Sequence, residues 1–293
     1  MNRGVGGMEG GHREFRRVAD ELRARMTDGP YSPGSCLPSQ RDLAEEFGVS
    51  RDTVQRALRE LVDEGWIESR QGSGSRVIKT QRIHSPTPKA TRSRRGITLE
   101  SLISEAFEQP EVTLDVYTLT SESLYWRIQQ QADRIRGRSI SPGRITLRML
   151  LPAETQSLPY PRVKDDKGDP RLRERLHDIT ERHAKSLRQS LASLQAEGLM
   201  PSVDVEIRRA PLTPAFKLYL FNGAEALHGP YEVIERKIML EDDEVLTALD
   251  VLGLNATLTH HVKDEDPDSS GTVFVDSMQK WFDSVWNLLS VRE

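Results

Sequence analysis

SQRDLAEEFGVSRDTVQRALRELVDEG, residues 39–65, contains two short amphipathic helices with a three-residue turn between them. Ser39 is a good N-cap and Asp42 follows three residues later in the capping-box arrangement. Leu43, Ala44 and Phe47 share the buried face of this helix, and Gly48 ends it. Ser50 then caps a second helix whose apolar side is Val54, Ala57, Leu58 and Leu61, closed at Gly65. Upstream, Phe15, Val18, Ala19, Leu22 and Met26 fall at helical spacing in a segment running from Arg13 to the stop at Gly29-Pro30. Residues 31–38 hold two prolines with Gly and Ser and read as a loop. Downstream, Trp66-Ile67 and Arg76-Val77-Ile78 flank QGSGS (71–75), two short strands around a Gly-rich turn.

Three helices with a tight Gly-Val-Ser turn between the second and third have the helix-turn-helix arrangement. The third helix of such a unit must carry long polar side chains on its outer face in its first two turns. Arg51, Asp52, Thr53, Gln55 and Arg56 occupy those turns. Arginine can read guanine bidentately, glutamine can read adenine, and threonine can touch phosphate or a thymine methyl. Ser39 and Ser50 mark helix N-termini suited to phosphates. Gln71, Gly72, Ser73 and Gly74, with Arg70 and Arg76 beside them, make a wing able to reach the adjacent backbone or minor groove.

The distribution of charge agrees. The chain has 293 residues and a net charge of -4, yet 18 Lys and Arg face 13 Asp and Glu up to Gly96, against 23 and 32 beyond it. A basic end on an acidic body implies that one end meets a polyanion. The length suits about two domains. A mean hydropathy of -0.57 and the lack of a long apolar run exclude a membrane helix. The glycine-rich residues 1–11 read as a disordered tail without the apolar core of a signal peptide, so the expected location is the cytoplasm. Cys36, the single cysteine, cannot form an internal disulfide and is expected to be a small packed side chain.

LPSQRDLAEEFGVSRDTVQRALRELVDEGWIESRQGSGSRVI, residues 37–78, resembles the head of GntR-type regulators. The resemblance lies in Leu-Pro-Ser before the second helix, Val-Ser-Arg before the third, Thr-Val, Ala-Leu, Leu…Gly and the Gly-x-Gly wing. It implies DNA contacts from Arg41, Arg51, Thr53 and the wing at Gln71–Gly74. Gln55 stands where relatives often carry Arg, a departure that leaves the operator preference at that position open. The resemblance further implies a homodimer on double-stranded operator DNA, acting as a repressor under a small-molecule effector, with no catalytic activity and no cofactor or metal.

Residues 80–110 begin with TQRIHSPTPKATRSRRG (80–96) and read as a basic linker in which Arg92, Arg94 and Arg95 could add phosphate contacts. Strands at 112–118, 144–151, 203–208, 217–221, 231–239 and 257–262 alternate with helices at 124–135, 171–197 and 277–289. This predicts one α/β domain over 111–293, behind an α+β winged helix at 12–79. The all-helical GntR partner domain does not fit, and an aminotransferase-like one needs roughly twice these residues. A HutC-like sensor with a different α/β fold is a further possibility.

PAFKLYLFNGAEALHGPYE, residues 214–232, resembles the active-site hairpin of the phospholipase D-like fold. Lys217 and Asn222 hold its Lys and Asp positions, and Ala215 stands where the nucleophilic His would be. Alanine has no nucleophilic atom, so the resemblance implies a dead fold kept for dimerisation or ligand binding, with Lys217 and Asn222 as candidate ligand contacts; a DNA-targeted phosphodiesterase is the alternative. His177 and His183 are poorly spaced for one metal, and His260 and His261 point to opposite strand faces. Asp264, Glu265, Asp266 and Asp268 lack a calcium-loop pattern. The Leu172–Leu194 stripe reads as a core or dimer helix.

Overall fold

The structure is a computed structural model that describes residues 14–15, 17–19, 21–22, 25–26, 31, 35–63, 66–70, 74–77, 83–84, 98–240, 244–251 and 257–292. The chain divides into two compact units: residues 1–80 with 235–248, and residues 81–234 with 249–293. The expected tail at 1–11 and Arg92, Arg94 and Arg95 lie outside the described residues.

In the N-terminal unit the described positions between 14 and 26 are helical. Helix α1 (Gln40–Phe47) and helix α2 (Arg51–Asp63) follow, then strands β1 (Ile67–Arg70) and β2 (Gly74–Val77), paired antiparallel from Ile67↔Val77 to Arg70↔Gly74. The apolar stripes converge as their spacing requires: Val18, Ala19, Leu22, Leu43, Val54, Ala57 and Leu61 are wholly or nearly wholly buried. Segment 35–37 pairs along β2, with Leu37 N–H donating to the Ser75 carbonyl (2.8 Å) and Val77 N–H to that of Ser35 (2.9 Å). Cys36, expected to be packed, is exposed, because this edge pairing turns its side chain to solvent.

The C-terminal unit is a mixed eight-stranded sheet between helical layers. Its elements are β3 (Ile83–His84), α3 (Leu99–Phe107), β4 (Glu111–Tyr117), α4 (Glu122–Arg136), β5 (Arg144–Pro152), β6 (Arg162–Val163), α5 (Arg171–Ala196) and β7 (Ser202–Ala210). Then come β8 (Phe216–Phe221), β9 (Glu225–Pro230), β12 (Leu258–Val262), α6 (Ser270–Leu288) and β13 (Val291–Arg292), while β10 (Val233–Met239) and β11 (Val245–Val251) fall mostly in the stretch grouped with residues 1–80. Strand order in the large sheet is β13-β7-β5-β4-β8-β9-β12-β3, and β10 pairs with β11 outside it. The trio β7, β5, β4 is parallel, linked through α4 and α5 as parallel neighbours demand; β8, β9 and β12 continue it antiparallel. The span expected to be a linker holds β3 and α3, and α6 starts seven residues before the expected helix, at a Ser269 cap.

Period-two alternation sends Val112, Leu114 and Val116 of β4 to one face, where α3, α4 and α5 cover them. Tyr117, with Leu150, Leu218 and Leu220, faces Phe282, Val285 and Trp286 of α6. Asp115 lies on this second face, 2% exposed, and Arg148 of β5 answers it through Nε at 2.7 Å. The same guanidinium reaches Asp283 at 2.9 Å and sits 5.1 Å above the Phe282 ring, while Gln279 donates to Asp115 at 2.8 Å. A buried carboxylate is costly unless paired, so this cluster holds α6 in one register on the sheet.

Asp115→Ala leaves Arg148 without its main partner, and removing one member of a buried pair costs about 3 kcal/mol or more. We expect a lowered urea midpoint for the second unit; an unchanged midpoint would contradict the role given to the cluster. The His228 and His261 imidazoles are held below the usual histidine value of 6.5 by burial, with His261 stacked 3.7 Å from Phe274. Folding favours their neutral form, so their stabilisation is complete above about pH 6.5 and declines as pH falls below it. Melting temperature should therefore drop on acidification through that range, and His261→Phe should flatten the slope.

Candidate nucleic-acid interface

The turn between α1 and α2 is built from local hydrogen bonds. Gly48 adopts φ +64°, the left-handed region glycine enters without strain, and its N–H caps the carbonyls of Ala44 and Glu45. Val49 N–H also donates to Ala44, at 3.0 Å. Ser39 Oγ accepts from Asp42 N–H (3.3 Å) and donates to its carboxylate (2.8 Å), which holds that carboxyl below its ordinary range. At the next helix Ser50 Oγ accepts from Thr53 N–H (3.1 Å) and bonds the Thr53 hydroxyl (2.8 Å).

These caps sort the expected contact residues. Arg51, Asp52 and Gln55 are exposed on one side of α2, as are Arg41 of α1, whose side chain is 74% exposed, and Arg76 of β2. Arg59, one turn beyond Gln55, is exposed on the same face, a placement that the helical period carries in the sequence. Thr53 is 8% exposed with its hydroxyl engaged by Ser50. Arg56 turns back into the unit, its guanidinium 4.9 Å above the Phe15 ring. Gln71, Gly72 and Ser73 lie outside the described residues; Gly74, at φ +77°, opens β2 and is exposed. The arrangement is a capped helix offering an Arg/Asp/Gln face beside a two-stranded wing.

In the second unit, Asn222 and Gly223 have φ +51° and +61° and turn β8 into β9, the geometry that suits the twist of a hairpin. The Asn222 carboxamide accepts from Thr113 N–H at 2.7 Å, so it fastens the turn to β4. Lys217 is 4% exposed with its ammonium 5.7 Å from the Tyr231 ring centroid. His183 is deeply buried, and His260 bonds Glu225 at 2.7 Å. Asp264, Asp266 and Asp268 form successive side-chain turns leading to the α6 cap. His177 and Glu181, one turn apart on α5, bring ligand atoms within 4.8 Å of those of Glu154. The Arg209 guanidinium bonds Glu181 and lies 3.8 Å from Glu154, supplying the positive charge that a cation would.

Capped helices, the left-handed turn and paired wing strands define a winged helix-turn-helix DNA-binding head. Residues 15–77 match the family described as bacterial regulatory proteins, gntR family, and this segment is a DNA-binding domain of that family. The chain is 34% identical over 140 residues to the mannosyl-D-glycerate transport/metabolism system repressor MngR of Escherichia coli K12, covering 45% of this chain and 56% of that protein. It is 34% identical over 84 residues to the transcriptional repressor NagR of Bacillus subtilis 168, covering 29% and 31%. A solved complex of the AraR DNA-binding domain with operator ORR3 is 33% identical, covering 22% of this chain and 77% of that one, with a TM-score of 0.22, too low to bear on the fold. The chain thus spans just over half of MngR and about a third of NagR. No helix among the described residues is long and apolar enough to cross a membrane.

Ser50→Ala removes the acceptor of Thr53 N–H, a capping loss of about 1 kcal/mol. Gly48→Ala forces a Cβ into the left-handed region at about 1–2 kcal/mol. Both variants should lower the melting temperature of the N-terminal unit; an unaltered melt in both would show that the turn is not held by these contacts.

Proposed function

We propose that this chain is a transcriptional regulator that binds operator DNA as a homodimer and changes its grip when a small molecule occupies the second unit. The observation that carries the DNA-binding reading is the exposed Arg51/Asp52/Gln55 face on a helix capped at Ser50, in a segment of the gntR family. One such head reads a half-site, and useful specificity comes from two. In this reading the unit that holds residues 12–79 is the head, and the unit that holds α3 and the large sheet dimerises and senses.

Arg51 and Gln55 are the base readers, Arg41 and Arg76 the phosphate contacts, and Ser39 and Ser50 position the helix ends. Gln71, Gly72, Ser73 and Gly74 form the wing. Asp52 is suited to accept from a cytosine amino group. Thr53 and Arg56 support the interface from within, through Ser50 and Phe15. The relatives MngR and NagR are named as repressors, which favours repression here. The protein acts in the cytoplasm and carries out no catalysis: with alanine at position 215, the 214–232 hairpin has no nucleophile to offer there.

The test is fluorescence anisotropy with DNA flanking the gene, scanned for a palindrome. Arg51→Ala should weaken specific binding roughly tenfold or more, the value of one bidentate guanine contact. Its melting temperature should stay that of the parent. Undiminished affinity would remove α2 from the groove.

A further inference from the structure

The second unit has a cavity of about 420 Å³ between the loop that follows β5 and the first turns of α5. That volume falls within the roughly 300–1,000 Å³ of small-molecule pockets. Its walls are in part apolar, Leu158 and Pro161 among them. Three cations also line it: Arg162 on β6, Lys167 in the following loop and Arg173 in the first turn of α5.

Among the described residues, none of the three is in an ion pair. Arg162 spends Nη1 on the carbonyls of Val163 and Lys164, both at 3.1 Å, and neither is a carboxylate. Asp169, the one acidic lining residue, is already neutralised: its carboxylate accepts from Arg171 Nε at 3.0 Å and Nη2 at 2.6 Å, which holds it below the ordinary aspartate range. Asp165, Asp166 and Glu174 are near in sequence but do not line the cavity. The 26-residue helix α5 begins at the same place, and its N-terminal end adds positive potential. A half-apolar pocket with three cations at a helix start is complementary to one kind of occupant.

We propose that this cavity is the effector site and that it takes a small organic anion. A carboxylate or phosphate would sit among Arg162, Lys167 and Arg173, and a compact carbon skeleton would lie against Leu158 and Pro161. Arginine forks suit either oxyanion. The proposal rests on the ligand-responsive reading above.

The experiment uses the full chain and isothermal titration with four probes: glucuronate, glucose 6-phosphate, inorganic phosphate and neutral glucose. At least one of the two anionic sugars is expected to bind and glucose is not; which of them wins separates carboxylate from phosphate. Lys167→Gln and Arg173→Gln, both at exposed positions, should each weaken that binding roughly tenfold, the value of a charge-assisted hydrogen bond. Their unliganded melting temperatures should match the parent. Failure of both anionic sugars, equal binding of glucose, or undiminished binding in both variants overturns the proposal. Inorganic phosphate binding alone also overturns it, because the apolar wall would then have no role. Operator affinity measured alongside separates the two readings. An anion that binds here without moving operator affinity leaves the site and sinks the effector reading. A metabolite that shifts operator affinity in both variants as in the parent sinks the site and leaves the effector reading.

Discussion

The geometry of the head depends on the few hydrogen bonds that reverse the chain between Phe47 and Arg51. Gly48 in the left-handed region closes α1 with its own N–H, and Ser50 opens α2 by accepting from Thr53. Between them they fix where α2 points before any tertiary contact is counted. Packing then enforces the direction, because Val54, Ala57, Leu58 and Leu61 must all be buried together. The exposed side chains of α2 are what remains after both demands are met. Chemistry at the interface is therefore a residue of folding constraints, with little freedom of its own.

Much of the head was legible in the sequence because its signals are local. Caps, a helix-stopping glycine and 3.6-residue stripes are all read within a dozen residues. What escaped is non-local or competitive. The Thr53 hydroxyl, for example, bonds Ser50. The Arg56 guanidinium lies over Phe15, forty-one positions earlier. In the second unit α4 and α5 announced themselves by period. β11, which falls mostly in the part grouped with the first unit, did not, since its inward residues Leu246, Ala248 and Asp250 include a small and a charged side chain. α3 carries a clear stripe of Leu99, Leu102, Ile103 and Ala106 and was obscured by the basic run before it. The cationic cavity was out of reach, because a loop, a two-residue strand and a helix start meet there only in three dimensions.

The second unit shows polar groups specifying what apolar contact alone leaves loose. Phe282 and Trp286 could slide along an aliphatic sheet face at little cost. The Asp115–Arg148–Asp283 cluster, with Arg148 also above Phe282, permits one placement of α6. The hairpin turn is anchored in the same spirit, through the bond from Thr113 to Asn222. The Asn222 carboxamide thus serves as a fastener between the turn and β4.

The grouping of residues 235–248 with the N-terminal unit changes what a domain boundary means here. The backbone passes between the two units three times, after positions 80, 234 and 248. A single tether lets a module swivel freely and be severed by one protease cut. With three passages, one nick near position 80 cuts residues 1–80 from the chain but leaves the 235–248 part of the same unit on the remaining piece. A gene fragment ending at residue 80 would also encode an incomplete unit, lacking a part that the ribosome adds about 150 residues later.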